Sequence, residues 1–457
     1  MPGYMPGMQS PKVRGKKAPT DRVKPTEPID PEKLPSGYEV PPEPPDAMTT
    51  ADEWIEDPFT ERKKKQGTLL AEYNNIIASG EFTGDVQRKL VADIVRWKLS
   101  LLTRKEFREQ AQKNRDNILA DLRKSPTNRN VGSREVRKFM LLTIAQEAPR
   151  LFKYHMIARI NGAILLAELS DPLHNEADGD GNRKPSEPCI RALEPLLELV
   201  KDEKQFTAPR IWGVIGLVRL GELQELKPQH RNTIVRALVE QLQNSQDEHE
   251  WFQWRLTEGL GRLNVVYDLE SKRPIVPSAL GRVLANPKRH WLVRSEAALS
   301  LGRLQYTAEI DVGLIAYEVA LLAQQMAEAY GREPELDIWK LYFVKVYGAF
   351  KPLDNDQKRA LLTQTEKGPL AGQRRIVQEA FDVVLPTVRK VVVDSEGMDT
   401  ALANLRKWLD SNTPKNFKIH PDEEPIVQDE PLVKKKPDNA VSPVPLDEAP
   451  ATTGASR

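Results

Sequence analysis

The side chains best suited to chemistry in this 457-residue chain fall into three groups. The first is the stretch LHNEADGDGNRKPSEP, residues 173–188. Counted from Glu176, it places Asp178 and Asp180 at alternate positions, Gly181 at a sharp turn and Glu187 where a bidentate carboxylate would close the loop. Hard oxygen ligands at that spacing can surround a calcium ion. Against this, Glu176 replaces the usual first Asp, Arg183 takes a normally apolar position and Pro185 obstructs the outgoing helix. A plain polar surface loop with no metal is therefore the favoured expectation. The second group is the lone Cys189, beside Pro188 at a helix start, where a thiolate would be favoured. No catalytic partner accompanies it, so a structural or incidental thiol is expected. The third is a set of large donors: Trp212, Arg219, Trp251, Arg255, Arg262 and Arg303. Arginine and tryptophan anchor interfaces because each combines a wide contact area with directional hydrogen-bond donors.

Signatures of common enzyme chemistry are missing. The sequence has no Gly-rich phosphate loop ending in Lys-Ser/Thr, no GxSxG elbow and no HExxH helix. Its six histidines, His155, His174, His230, His249, His290 and His420, are scattered. The expectation is a non-enzymatic protein without a cofactor.

The elements that must position the arginines and tryptophans emerge when residues 288–304, KRHWLVRSEAALSLGRL, are wound at about 100° per residue. With Arg294 as position zero, Ala297, Leu301 and Leu304 form one apolar stripe, and Leu299 and Gly302 lie roughly opposite. A lone surface helix needs one such stripe. Two imply neighbours on both flanks, as in stacked helices. The register repeats from Arg159, with Gly162, Leu166 and Leu169 against Ile160, Ile164 and Ala167. It repeats again from Arg210, with Gly213, Leu217 and Leu220 against Ile211, Ile215 and Val218. Weaker copies start at Gln253, where Glu258 interrupts the second stripe, and at Lys340, where Phe343, Tyr347 and Phe350 are aromatic. The zero positions are 51, 43, 41 and 46 residues apart, close to helix-pair repeats of about 40 to 47 residues, with the longest spacing accounted for by the insertion 173–188. Positions two and nine after zero avoid both stripes. They are Asn161 and Glu168, Trp212 and Arg219, Arg255 and Arg262, and Glu296 and Arg303, with Trp251 beside them, and this sector is expected to be exposed.

VRSEAALSLGRL, residues 293–304, resembles the second helix of a HEAT repeat, and LANP, residues 284–287, resembles the turn before it. Asn286 stands where that family has Asp, and Gln253 and Lys340 stand where it has Arg. The resemblance covers roughly residues 133–350. It implies an all-α, right-handed α-solenoid of two-helix repeats whose second helices line the concave side. Arg219, Arg262 and Arg303 would then form a basic row along that side. The fold by itself implies no function.

The flanks complete the division. Residues 1–58, with PPEPP at 41–45, offer almost no apolar periodicity and are expected to form a disordered arm. Residues 59–132 read as basic N-terminal helices, 133–350 as HEAT-like repeats, 351–411 as a helical cap and 412–457 as a disordered tail carrying DEEP, DEP and KKK. Between Arg88 and Arg159 there are 18 Lys/Arg against 7 Asp/Glu, although the whole chain is nearly neutral at +1. That local excess would attract an anionic partner. No apolar run approaches a membrane span, the first thirty residues show no signal-peptide h-region, and a single cysteine suits a reducing compartment, so a cytoplasmic location is expected. The function these features favour is an interaction scaffold that offers its Arg/Trp face to a protein partner. Binding of nucleic acid through the basic helices and the same row is the alternative.

Overall fold

The computed structural model describes residues 66–124, 135–170, 188–223, 225–332, 337–353, 359–393 and 397–427. The proline-rich arm, the loop carrying Asp178, Asp180 and Glu187, and the tail beyond Val427 lie outside these residues. Among the described residues the chain is all-helical, with an isolated bridge from Ser170 to Pro188. The N-terminal helices are α1 (Gln66–Ser79), α2 (Asp85–Ser100), α3 (Ala111–Lys124) and α4 (Glu135–Glu147). Then follow α5 (Met156–Glu168), α6 (Leu193–Lys201), α7 (Thr207–Gly221), α8 (Pro228–Asn244) and α9 (Glu250–Leu263). The remainder are α10 (Ile275–Ala285), α11 (Trp291–Arg303), α12 (Val312–Tyr330), α13 (Ile338–Phe350), α14 (Leu361–Thr365), α15 (Arg374–Val392) and α16 (Met398–Ser411).

The five helices that share the two-stripe register, α5, α7, α9, α11 and α13, each contact the next. Behind them α6, α8, α10 and α12 also contact one another in order, and each packs on the helix that follows it in the chain. The first stripe is buried in this double packing: Leu217, Leu260, Leu301 and Phe343 are all fully covered. Small residues let the neighbours approach closely. A Cβ on Gly302 would stand 2.5 Å from the Ala349 carbonyl oxygen, and one on Gly259 would stand 2.5 Å from Val218 Cγ2. A side chain at Gly302 would have to move backbone, whereas one at Gly259 would have to move Val218.

Buried arginines tie the helices together by a repeated geometry. Arg210 donates from Nε to the Val200 carbonyl at the end of α6 (3.1 Å), and Arg294 donates in the same way to the Leu284 carbonyl in α10 (2.9 Å). Each also reaches a glutamine on the following back helix, Arg210 to Gln241 at 2.8 Å and Arg294 to Gln325 at 2.7 Å. Where Gln253 takes the zero position, Arg289 replaces the missing guanidinium. It donates to the Leu242 carbonyl at 3.0 Å and to Gln253 Oε1 at 2.7 Å. A carbonyl in the last turn or so of a back helix thereby gains a guanidinium donor in successive pairs. Histidines head three of the front helices. Nδ1 of His155, His249 and His290 accepts from the backbone N–H of Ala158, Trp251 and Leu292, so each ring carries its proton elsewhere.

Beside Arg294, the Glu318 carboxyl on α12 is 2% exposed, and its Oε1 has no hydrogen-bond partner. Burial pushes its pKa from the ordinary 4.5 up to about 7, with the Arg294 charge opposing the shift. The folded chain therefore holds this proton more tightly than the unfolded chain does. The resulting stability is complete below about pH 4.5 and is lost as pH rises through 7. A Glu318→Gln variant should match the wild type in melting temperature at pH 4.5. By pH 8 it should be more stable, on the order of 2–3 kcal/mol. Melting curves across that range check the sign, and a variant that is less stable at pH 8 would refute it.

One expectation needs correction. The segment after α16 does not behave as a solvated tail along its whole length. Ile419 and Ile426 are buried against the body, and the Ile419 carbonyl accepts from the Asp311 N–H at 2.8 Å. The cause is apolar burial at two isolated aliphatic residues.

Candidate partner-binding face

The register brings positions −2, +1, +2, +5 and +9 of the front helices to one side. Trp251 at −2 is 58% exposed, and Trp212, Arg219, Arg255 and Arg303 are half-buried. Arg262 is exposed. Asn161 and Glu296, expected in the exposed sector, are buried instead. Asn161 accepts from Arg115 Nη1 on α3 at 3.2 Å. Glu296 is covered from both sides, taking a hydrogen bond from Trp254 Nε1 at 2.9 Å and an ion pair from Lys345 Nζ at 2.7 Å.

Of the arginines expected to form a row, Arg219 and Arg262 spend donors between helices. Arg219 on α7 donates to the Ala167 carbonyl at 3.0 Å and to Ser170 Oγ at 2.7 Å, tying α7 to the end of α5. Burial lowers its pKa, countered by Glu168. Arg262 grips both carboxylate oxygens of Glu222 at 2.8 Å, linking α9 to the end of α7. Arg255 pairs with Glu258 at 2.7 Å, and its guanidinium carbon lies 4.2 Å from the Trp254 ring centroid. Arg303 makes no ion pair among the described residues. The row therefore braces the face, and only part of its charge remains to attract a ligand.

What the register reading missed is an apolar tier at the N-terminal ends of the same helices. Ile157, Trp251, Ile338 and Leu341 are exposed large hydrophobic residues, and Ile160, Ile211, Trp212, Ile215 and Trp254 are half-exposed beside them. Several of these belong to the second apolar stripe, read from sequence as packed on a neighbour. The stripe does pack at its far end, where Ala167 meets Gly216 and Leu299 meets Gly348. Its near end opens to solvent. The available signal was the recurrence of large apolar residues at −2 and +1: Ile157 and Ile160, Trp251 and Trp254, Ile338 and Leu341.

The basic N-terminal helices are also extensively paired. Arg88 bonds Glu135, Lys98 bonds Asp121, and Arg96 and Arg150 share Glu147 at 2.7 and 2.9 Å. Arg137, 2% exposed, donates to the Leu122 and Ser170 carbonyls. Cys189 is buried and precedes a short 3₁₀ turn. Among the described residues no group of three or more His, Cys, Asp or Glu side chains is arranged to hold a metal, and no helix is long and apolar enough to cross a membrane.

No family model matches this chain, and no match was found among curated proteins or among solved structures.

Proposed function

We propose that the chain is a non-enzymatic interaction scaffold, a right-handed solenoid of HEAT-like helix pairs that binds a protein segment along the face described above. The observation that carries this reading is the set of exposed apolar residues on α5, α9 and α13, Ile157, Trp251, Ile338 and Leu341, with half-buried Trp212 on α7, beside arginines braced between helices. Exposed apolar residues scattered singly need no explanation, but large ones recurring at the same register positions of several packed helices support reading this face as a binding surface. Neighbouring packed helices lie about 8–10 Å apart. An extended segment rising about 3.3 Å per residue would thus meet a new helix roughly every third residue. Apolar side chains at that interval, with an acidic residue facing Arg303, describe the partner that fits.

The test compares proteins captured by the wild type and by a Trp251→Ser/Leu341→Ser double variant. The variant should fold normally, because both side chains are exposed, yet lose one or more captured proteins by at least tenfold. An identical captured set would count against the face. Nucleic-acid binding is the competing reading, motivated by the local excess of positive charge. It predicts DNA affinity that falls steeply and linearly with log salt, and its absence at low salt would remove that reading.

A further inference from the structure

The segment after α16 behaves as a ligand that the chain binds to itself. From Phe417 to Ile426 it folds into a loop closed by its own bonds: the Ile426 N–H donates to the Phe417 carbonyl at 2.8 Å and the Glu423 N–H to the His420 carbonyl at 3.0 Å. His420 Nδ1 also accepts from the Asp422 N–H at 3.1 Å. This closure places Ile419 and Ile426 side by side. Both enter a notch on α10 that exists because residue 281 is glycine. A Cβ there would stand 2.4 Å from Ile419 Cδ1 and 3.0 Å from Ile426 Cγ2. Carboxylates secure the rim. Glu423, 4% exposed, pairs with Arg273 at 2.8 Å, and Glu424 lies 3.7 Å from Arg282.

Two features separate this contact from ordinary core packing. The loop is shaped in part by bonds within itself, which lowers the ordering cost of binding, and in part by its contacts with Asp311, Arg273 and Glu309 on the body. It also leaves room beside it. A cleft of about 540 Å³ runs from the strap carboxylates along Arg236, Gln243 and Ser278, and Ser278 Oγ is buried without a hydrogen-bond partner.

We propose that the Gly281 notch, with Arg273 and Arg282 at its rim, is a second docking surface for acidic, isoleucine-bearing loops of a partner protein, occupied in cis by the strap Phe417–Ile426. The chemistry of the occupant is read from the strap: two isoleucines presented together, followed across the rim by carboxylates that meet arginines. A short tether from Ser411 gives the strap a high effective concentration, on the order of millimolar. A partner must exceed that to displace it, so occupancy in trans depends on affinity and on salt. This surface lies on α10 and is independent of the Trp251 face, so either assignment can fail without the other.

The experiment uses the full chain with Ile419→Ser and Ile426→Ser, which disarms the strap, and a fluorescent peptide spanning residues 412–427 as the probe. Anisotropy should show saturable binding that weakens several-fold when salt is raised from about 0.05 to 0.3 M, as rim ion pairs are screened. Adding Gly281→Ala, which favours the helix while filling the notch, should weaken it at least tenfold. A disarmed chain with wild-type circular dichroism that binds no peptide, or binds it equally with Gly281→Ala, would overturn the proposal. Hydrogen exchange on the wild type gives a reading that needs no variant. The amides of Asp311 and Ile426 should exchange together and well before that of Leu301. A common rate for all three would show that the strap never leaves the notch on its own.

Discussion

Replacement of Arg294 by methionine is expected to lower the unfolding free energy by about 3–5 kcal/mol, the range for breaking a buried charged network from one side. The side chain is 2% exposed and links three helices. From α11 it donates to the Leu284 carbonyl on α10 and to Gln325 on α12, and its charge stands near Glu318. Burial pushes its pKa down to about 10, so it remains charged at neutral pH. Methionine preserves much of the volume but leaves the buried Leu284 carbonyl without its donor, costing about 1–3 kcal/mol, and the half-buried Gln325 amide without its partner. Arg255→Met is the control. Its guanidinium pairs with Glu258 on the same helix while partly exposed, and its loss should cost under about 1 kcal/mol. Denaturant titration of both variants measures the difference, and equal losses would show that the Arg294 network does not hold these helices together.

Leu301→Ala is expected to cost about 2–5 kcal/mol through lost transfer energy and the cavity left behind. Leu301 is fully buried in the stripe that faces the back helices. Arg303, two residues on, is half-buried with no ion pair among the described residues, so Arg303→Ala should change stability by less than about 0.5 kcal/mol. Thermal melts of the two variants test the helical register directly. Similar losses in both would place residues 301 and 303 on the wrong faces.

Much of the helical arrangement was legible because burial follows the 3.6-residue period. Leu260 is buried and Arg262 exposed, as the register from Gln253 requires. Charge, in contrast, misled the reading wherever a polar group found a partner from another helix. Glu296 sits at a nominally exposed position but is covered by Trp254 and Lys345, which come from helices on either side of it. No pattern within α11 could announce those two partners. Arg289 lies in a turn, where sequence suggests a solvated cation, yet it supplies the guanidinium that Gln253 lacks. The strap was illegible for a different reason. Ile419 and Ile426 are isolated aliphatics among prolines and acids, so they generate no periodicity, and the notch that receives them depends on a glycine in a distant helix. Within the candidate face, the arginines and tryptophans stood out by type. The isoleucines beside them resembled core residues, since sequence alone does not show where a second stripe ceases to be covered.

The most direct test of the binding face is site-specific photo-crosslinking in cells, with a photoreactive phenylalanine placed at Trp251, at Leu341 and, for comparison, at Val86, which is 71% exposed on α2. The first two positions should give the same discrete adduct, containing a protein rather than nucleic acid, while position 86 should not. Equal adducts at all three positions, or none at Trp251 and Leu341, would contradict the assignment of this face to a protein partner.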